Sequence, residues 1–130
     1  MPFTSDALSE ALATNDHAAA ERYAREFIAS CGDQPAAWQT LGEAQLNQGR
    51  LSDARDSLLR ALSLGADGSV LRFELASALE QCGEINDAIE HLRRAVALEP
   101  QMSAAQINLA ALLEKVDRLD EALAASQRAV

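Results

Sequence analysis

Apolar residues recur along this chain at helical spacing, in short runs punctuated by glycine and proline. Ala7, Leu8, Ala11 and Leu12 make a first stripe, and Ala20, Tyr23, Ala24, Phe27, Ile28 and Cys31 a second. Positions three and four apart share one face of an α-helix, so each stripe predicts an amphipathic helix. Asn15 and Asp16 can close the first helix and cap the second, and Gly32 stops the second. Pro35 then pre-sets a first helical turn. Ala37, Trp38, Leu41, Ala44 and Leu46 predict a helix ended by Gly49. Ala54, Leu58, Leu59, Ala61 and Leu62 predict another, broken by Gly65 and Gly68. Val70, Leu71, Leu75, Ala78 and Leu79 lead to Gly83, and a helix over 87–98 is halted before Pro100. Ile107, Leu109, Leu112 and Leu113 predict one more helix, and a last is expected from Asp120 to Val130.

The pattern repeats. The stretches GRLSDARDSLLRAL, GEINDAIEHLRRAV and DRLDEALAASQRAV begin at 49, 83 and 117, a period of 34 residues. Ser52, Asn86 and Asp120 recur at that period and are expected to cap the second helix of each unit, as Ser69 and Ser103 cap first helices. Ala54, Ala88 and Ala122 recur too, as do Ala61, Ala95 and Ala129, and small residues let neighbouring helices approach closely. Leu41, Leu75 and Leu109 complete the register. A fixed period in this range marks an α-solenoid, whose units bury their apolar faces only by stacking.

Composition agrees. Aromatic residues make up 4% of 130, which suits close-packed helices better than a β-sandwich. A chain of this size buries roughly two-thirds of its unfolded surface and needs no disulfide or metal. Eleven basic against 20 acidic residues give a net charge of −9, which disfavours nucleic acid and anionic membranes and favours a basic or neutral partner. Cys31 and Cys82 have no ligand-like spacing and read as reduced thiols, consistent with a cytoplasmic protein. The N-terminus has no basic, apolar leader, and no run is long enough to span a membrane.

The placed residues resemble the tetratricopeptide repeat family. Trp38, Leu41 and Gly42 match its first-helix pattern; Ala54, Leu58 and Ala61 match its second. Leu75, Ala76, Gly83, Ala88, Leu92, Ala95 and Pro100 match in the next unit, and Leu109, Ala110, Ala122 and Ala129 in the last. Gln45, Leu79 and Leu113 replace the usual tyrosine, and Ala66 a proline. The resemblance implies an all-α, right-handed solenoid of helix-turn-helix units in one domain. Residues 1–34 form a divergent helix pair, 35–68 and 69–102 are full units, and 103–130 is a unit truncated at its second helix.

Candidate chemistry is sparse. No phosphate loop, zinc-protease motif or nucleophile elbow is present, so neither catalytic nor metal nor cofactor residues are assigned. His17 and His91 read as solvent-facing. Arg60, Arg94 and Arg128 recur with the period and are expected to pair with acids four residues earlier, Asp56 and Glu90. Ala124 occupies the acid's place in the last unit.

The resemblance implies instead a protein-interaction scaffold whose first helices line a concave peptide groove. Its candidate residues are Gln39, Thr40, Glu43 and Asn47; Phe73, Glu74, Ser77 and Gln81; and Ile107, Asn108, Ala111 and Lys115. Phe73 and Ile107 are the apolar anchor candidates, with Phe73 equally readable as interhelical packing. Family members that clamp acidic C-terminal tails use lysines where this chain has Gln39 and Glu43, so no such binding is expected. The last expected helix leaves Leu119, Ala122, Leu123 and Ala129 uncovered, which a second copy could cover in a homodimer. The different reading is an N-terminal recruiting segment of a larger enzyme, such as a glycosyltransferase or sulfotransferase.

Overall fold

The computed structural model describes residues 16–128, with side chains through Asp120 and at Leu123. The stripe at 7–12 and the residues Asn15, Ala129 and Val130 lie outside this range. The described residues form six helices and no strand: α1 His17–Cys31, α2 Pro35–Asn47, α3 Leu51–Ser63, α4 Ser69–Gln81, α5 Ile85–Leu98 and α6 Ser103–Arg128.

Helices α2 and α3 form one hairpin and α4 and α5 the next, and these within-unit interfaces are the most extensive in the fold. Helices α1, α2, α3, α4, α5 and α6 pack successively, so contact is with near neighbours throughout, as a solenoid requires. Leu41, Leu58, Leu71, Leu75, Leu92 and Leu112 are its largest fully buried side chains. Ala54, Ala61, Ala88 and Ala95 are wholly buried at the helix crossings. Gly42 shows why small residues sit there: a Cβ on it would lie 2.6 Å from Leu58 Cγ and 3.3 Å from the Ala54 carbonyl. The stripe of α1 is confirmed, with Ala20 and Ala24 buried, although Cys31 is exposed.

The turn inside each hairpin is tighter than the caps predict. Gly49 has φ +78° and Gly83 φ +86°. The Arg50 N–H donates to the Gln45 carbonyl at 2.9 Å and the Glu84 N–H to the Leu79 carbonyl at 2.8 Å. That is a Schellman closure, with glycine in the left-handed position. Arg50 and Glu84 thus end one helix and occupy the N-cap position of the next. Ser52 and Asn86 fall inside their helices and do not cap them, because the shared residue leaves no room for a separate cap. Gly68, not Ser69, is the N-cap of α4; Ser69 Oγ donates instead to Glu99 at 3.0 Å. Asp16 does cap α1, its Oδ1 accepting from the Ala19 N–H at 3.0 Å.

The last unit departs furthest. A turn near 117 and a cap at Asp120 are expected, but α6 runs unbroken for 26 residues. Two restraints that bend the earlier units are missing. Position 117, one period after Gly49 and Gly83, is Asp117, and a side chain there disfavours the left-handed turn. The residue after each glycine is also held by an ion pair in the earlier units. Arg50 bonds Glu21 on α1, and Glu84 pairs with Arg55 on α3 at 3.3 Å. One period on, these positions are Arg118 and Ile89, which cannot pair. Arg118 pairs instead with Glu114, one turn earlier on its own helix.

Candidate peptide-binding groove

The first helices of the two full units meet. Helix α2 contacts α4, whereas α3 and α5 show no comparable contact. The first helices therefore lie on the shorter arc of the stack, and their common face is the inner one. Gln39 spans it: its Nε2 donates to Glu74 Oε1 at 3.4 Å. Glu74 is only 8% exposed, an unusual state for a carboxyl. Burial first, then the charge of nearby Glu43, pushes its pKa up to about 7, while the Gln39 hydrogen bond acts the other way. Gln39, Glu43 and Glu74 thus form one polar cluster bridging two units.

The remaining candidates divide. Thr40 Oγ1 donates to the Ala36 carbonyl at 3.0 Å and Asn47 Nδ2 to the Glu43 carbonyl at 3.0 Å. Ser77 Oγ donates to the Phe73 carbonyl at 3.1 Å and Gln81 Nε2 to the Ser77 carbonyl at 3.3 Å. These four polar groups are engaged with their own helices. Phe73 is half-buried and packs against the main core, so it serves packing while remaining partly accessible. Ile107 is 67% exposed. Asn108 is half-buried, and Ala111 and Lys115 are exposed. Ala111 and Lys115 line a shallow depression along α6 with Glu114, Arg118 and Leu119.

Several polar contacts differ from the sequence expectation. Arg60 and Arg94 do not pair with Asp56 and Glu90. Arg60 Nη2 reaches Asp33 at 2.8 Å, and Arg94 Nη2 reaches Asp67 at 3.2 Å, each in the loop before its unit. Asp33 also accepts from Trp38 Nε1 at 3.2 Å, and Asp67 from Arg72 Nε at 2.9 Å. These hydrogen bonds hold both aspartates below the usual carboxylate range. The signal was visible, since Asp33 and Asp67 are themselves one period apart. His91 is half-buried rather than solvent-facing, with Arg72 Nη1 2.9 Å from its Nδ1. An arginine can only donate, so Nδ1 accepts. Burial and the Arg72 charge lower the His91 pKa. His17 is half-buried as well.

Gln45, at the family's tyrosine position, is buried beside Ser57. Its amide nitrogen, turned toward Ser57, donates to Ser57 Oγ at 2.6 Å and to the Asp53 carbonyl at 3.0 Å. Its oxygen then accepts from Arg25 at 3.3 Å. A polar network so replaces an aromatic hydroxyl at the α1–α2–α3 junction. Among the described residues, no group of three histidines, cysteines or acids could hold a metal ion. No described helix is long and apolar enough to cross a membrane.

Stacked helical hairpins of one period, with small residues at each crossing, define a helix-turn-helix repeat scaffold. Tetratricopeptide repeat models match residues 6–69 and 69–112. The chain belongs to the tetratricopeptide repeat family.

Known structures share the fold. The MamA protein is 23% identical with TM-score 0.78, over 94% of this chain and 67% of that one. A mutant O-GlcNAc transferase from Thermobaculum terrenum is 25% identical with TM-score 0.75, over 83% of this chain but 21% of the transferase. The first repeat domain of Spaghetti (RPAP3), bound to the HSP90 peptide SRMEEVD, is 13% identical with TM-score 0.79, over 85% and 87%. No curated protein matches the sequence.

Proposed function

We propose that this chain is a non-catalytic interaction scaffold that takes a neutral or basic peptide segment along the inner face of α2, α4 and α6. The observation that carries the reading is the Gln39–Glu43–Glu74 cluster, which bridges two units across α2 and α4. The Glu43 carboxylate, with the part-ionised Glu74 carboxyl beside it, suits a lysine or arginine side chain, through charge-assisted hydrogen bonds. Part-buried Phe73 on α4 and exposed Ile107 on α6 offer apolar contacts. The RPAP3 structure carries an acidic peptide. Gln39 and Glu43 in this chain make the same ligand unfavourable here.

Calorimetry with lysine-containing peptides and with SRMEEVD tests this. Binding of the basic set should weaken with salt and fall several-fold in Glu43→Gln. Phe73→Ala should weaken it too while costing stability, since the ring also packs on the core. Tight, salt-sensitive binding of SRMEEVD would overturn the reading. A second reading, recruitment of substrate to a larger enzyme, draws support from the likeness to part of the Thermobaculum transferase. Intact mass of the native gene product in its own cells decides between them. A mass well above 13.9 kDa favours the recruiting segment.

A further inference from the structure

The two faces of the last hairpin are both present in α6 and cannot meet within one copy. Its first half repeats α4 and its second half repeats α5. In the preceding units the small residue on the first helix is buried against the second: Gly42 lies under Leu58, and Ala76 is 1% exposed. Ala110, the next in this series, is exposed. The described apolar side chains of the second half are bare in the same way. Ile89 on α5 is 6% exposed, whereas its counterpart Leu123 is 59% exposed, and Leu119 is 61% exposed. A seat and the helix that the repeat pattern fits to it are therefore left open on opposite halves of one continuous helix.

The earlier hairpins show that these faces are complementary, since the within-unit interface is the most extensive contact of the fold. We propose that a second copy of the chain supplies the missing partner, with residues 117–128 of each protomer seated on the first half of α6 of the other. The second helix of a hairpin runs antiparallel to the first, so two α6 rods lie antiparallel about a two-fold axis near Val116–Asp117. Each of the two seats is then filled by the same contact. Exchange of an identical element is a low-cost route to a closed, symmetric dimer. The absent restraints explain why the last unit exchanges and the others do not. Gly49 and Gly83 close their turns locally, and the Arg50–Glu21 and Glu84–Arg55 pairs hold them closed. Asp117 and Arg118 do neither. This proposal does not depend on the Gln39–Glu43–Glu74 cluster, which lies on α2 and α4.

The test is a chain with Cys31→Ser, Cys82→Ser, Ala110→Cys and Ala122→Cys, oxidised at low micromolar concentration. Ala110 and Ala122 are the register equivalents of Gly42 and Ala54. A covalent dimer on a non-reducing gel is expected. A closed monomeric disulfide, which marks folding back, would overturn the proposal, and so would two free thiols. Light scattering of the unmodified chain near 100 μM should give about twice 13.9 kDa. Asp117→Gly restores the turn residue and should return the mass to that of a monomer. An equal dimer in both chains would show that the contact is not an exchange of α6.

Discussion

Arg94 reaches back 27 residues to bond Asp67, and Arg60 makes the same bond to Asp33 across the same interval. The loop before each full unit is thereby tied to its second helix. The third rung is broken, since position 101 is Gln101. Both aspartates are held below their ordinary pKa, so the unfolded chain binds more protons as the solution turns acid. Their contribution is complete above the ordinary aspartate range and is lost as pH falls through the lowered folded-state values. Asp67→Asn should therefore flatten the acid limb of a melting-temperature profile below about pH 4. An acid limb identical to wild type would show that the pair does not contribute.

Glu74 has the opposite sign. Its carboxyl is raised from 4.5 to about 7 in the folded chain, so folding favours the protonated form. Stability should fall as pH rises from about 5 to about 7. Glu74→Gln should remove that fall and stabilise the protein at pH 8 by on the order of 2 kcal/mol. Urea melts at pH 5 and pH 8 measure it. Equal sensitivity to pH in wild type and variant would refute the assignment.

Gly42→Ala separates helix propensity from packing. Propensity alone favours alanine by about 1 kcal/mol. The new Cβ, however, meets Leu58 Cγ at 2.6 Å, and Leu58 is wholly buried in the core. Overpacking of this kind costs about 1–3 kcal/mol, so net destabilisation is expected in a thermal melt. Pairing it with Leu58→Ala should give less than the sum of the two single losses.

Gln45 and Ser57 should behave as a unit. Gln45→Leu leaves the buried Ser57 hydroxyl without its partner and should cost about 1–3 kcal/mol. Gln45→Leu with Ser57→Ala removes both polar groups and should recover part of that loss in a denaturant melt. A double variant no more stable than the single one would show that Ser57 finds another partner.

The hairpins were legible because burial imposes a period. Ala54, Ala88, Ala61 and Ala95 sit at the crossings their spacing predicts. Ser52 and Asn86 do not cap as their side-chain preference suggests, because that preference says nothing of a turn so tight that one residue serves two helices. The continuity of helix α6 is not legible in the sequence, because the apolar register persists through 117 although the glycine does not. Of the groove candidates, Gln39, Glu43 and Glu74 come together, while Thr40, Asn47, Ser77 and Gln81 turn to their own backbone. Sequence spacing puts a residue on a face; it does not say which acceptor its side chain prefers.

The Glu21–Arg50 pair and the Arg55–Glu84 pair occupy the same place in successive units with their signs exchanged. Chains built of near-identical units can close on the wrong neighbour as they fold. Here a slip of one unit would set Glu21 against Glu84, or Arg50 against Arg55, and Glu21 is 93% shielded from water, with exposure of 7%. Like charges at so dry a position are strongly disfavoured. The alternating polarity therefore acts as an address written into each junction, so that the order of units along the chain is enforced by repulsion between mismatched neighbours as well as by attraction between correct ones.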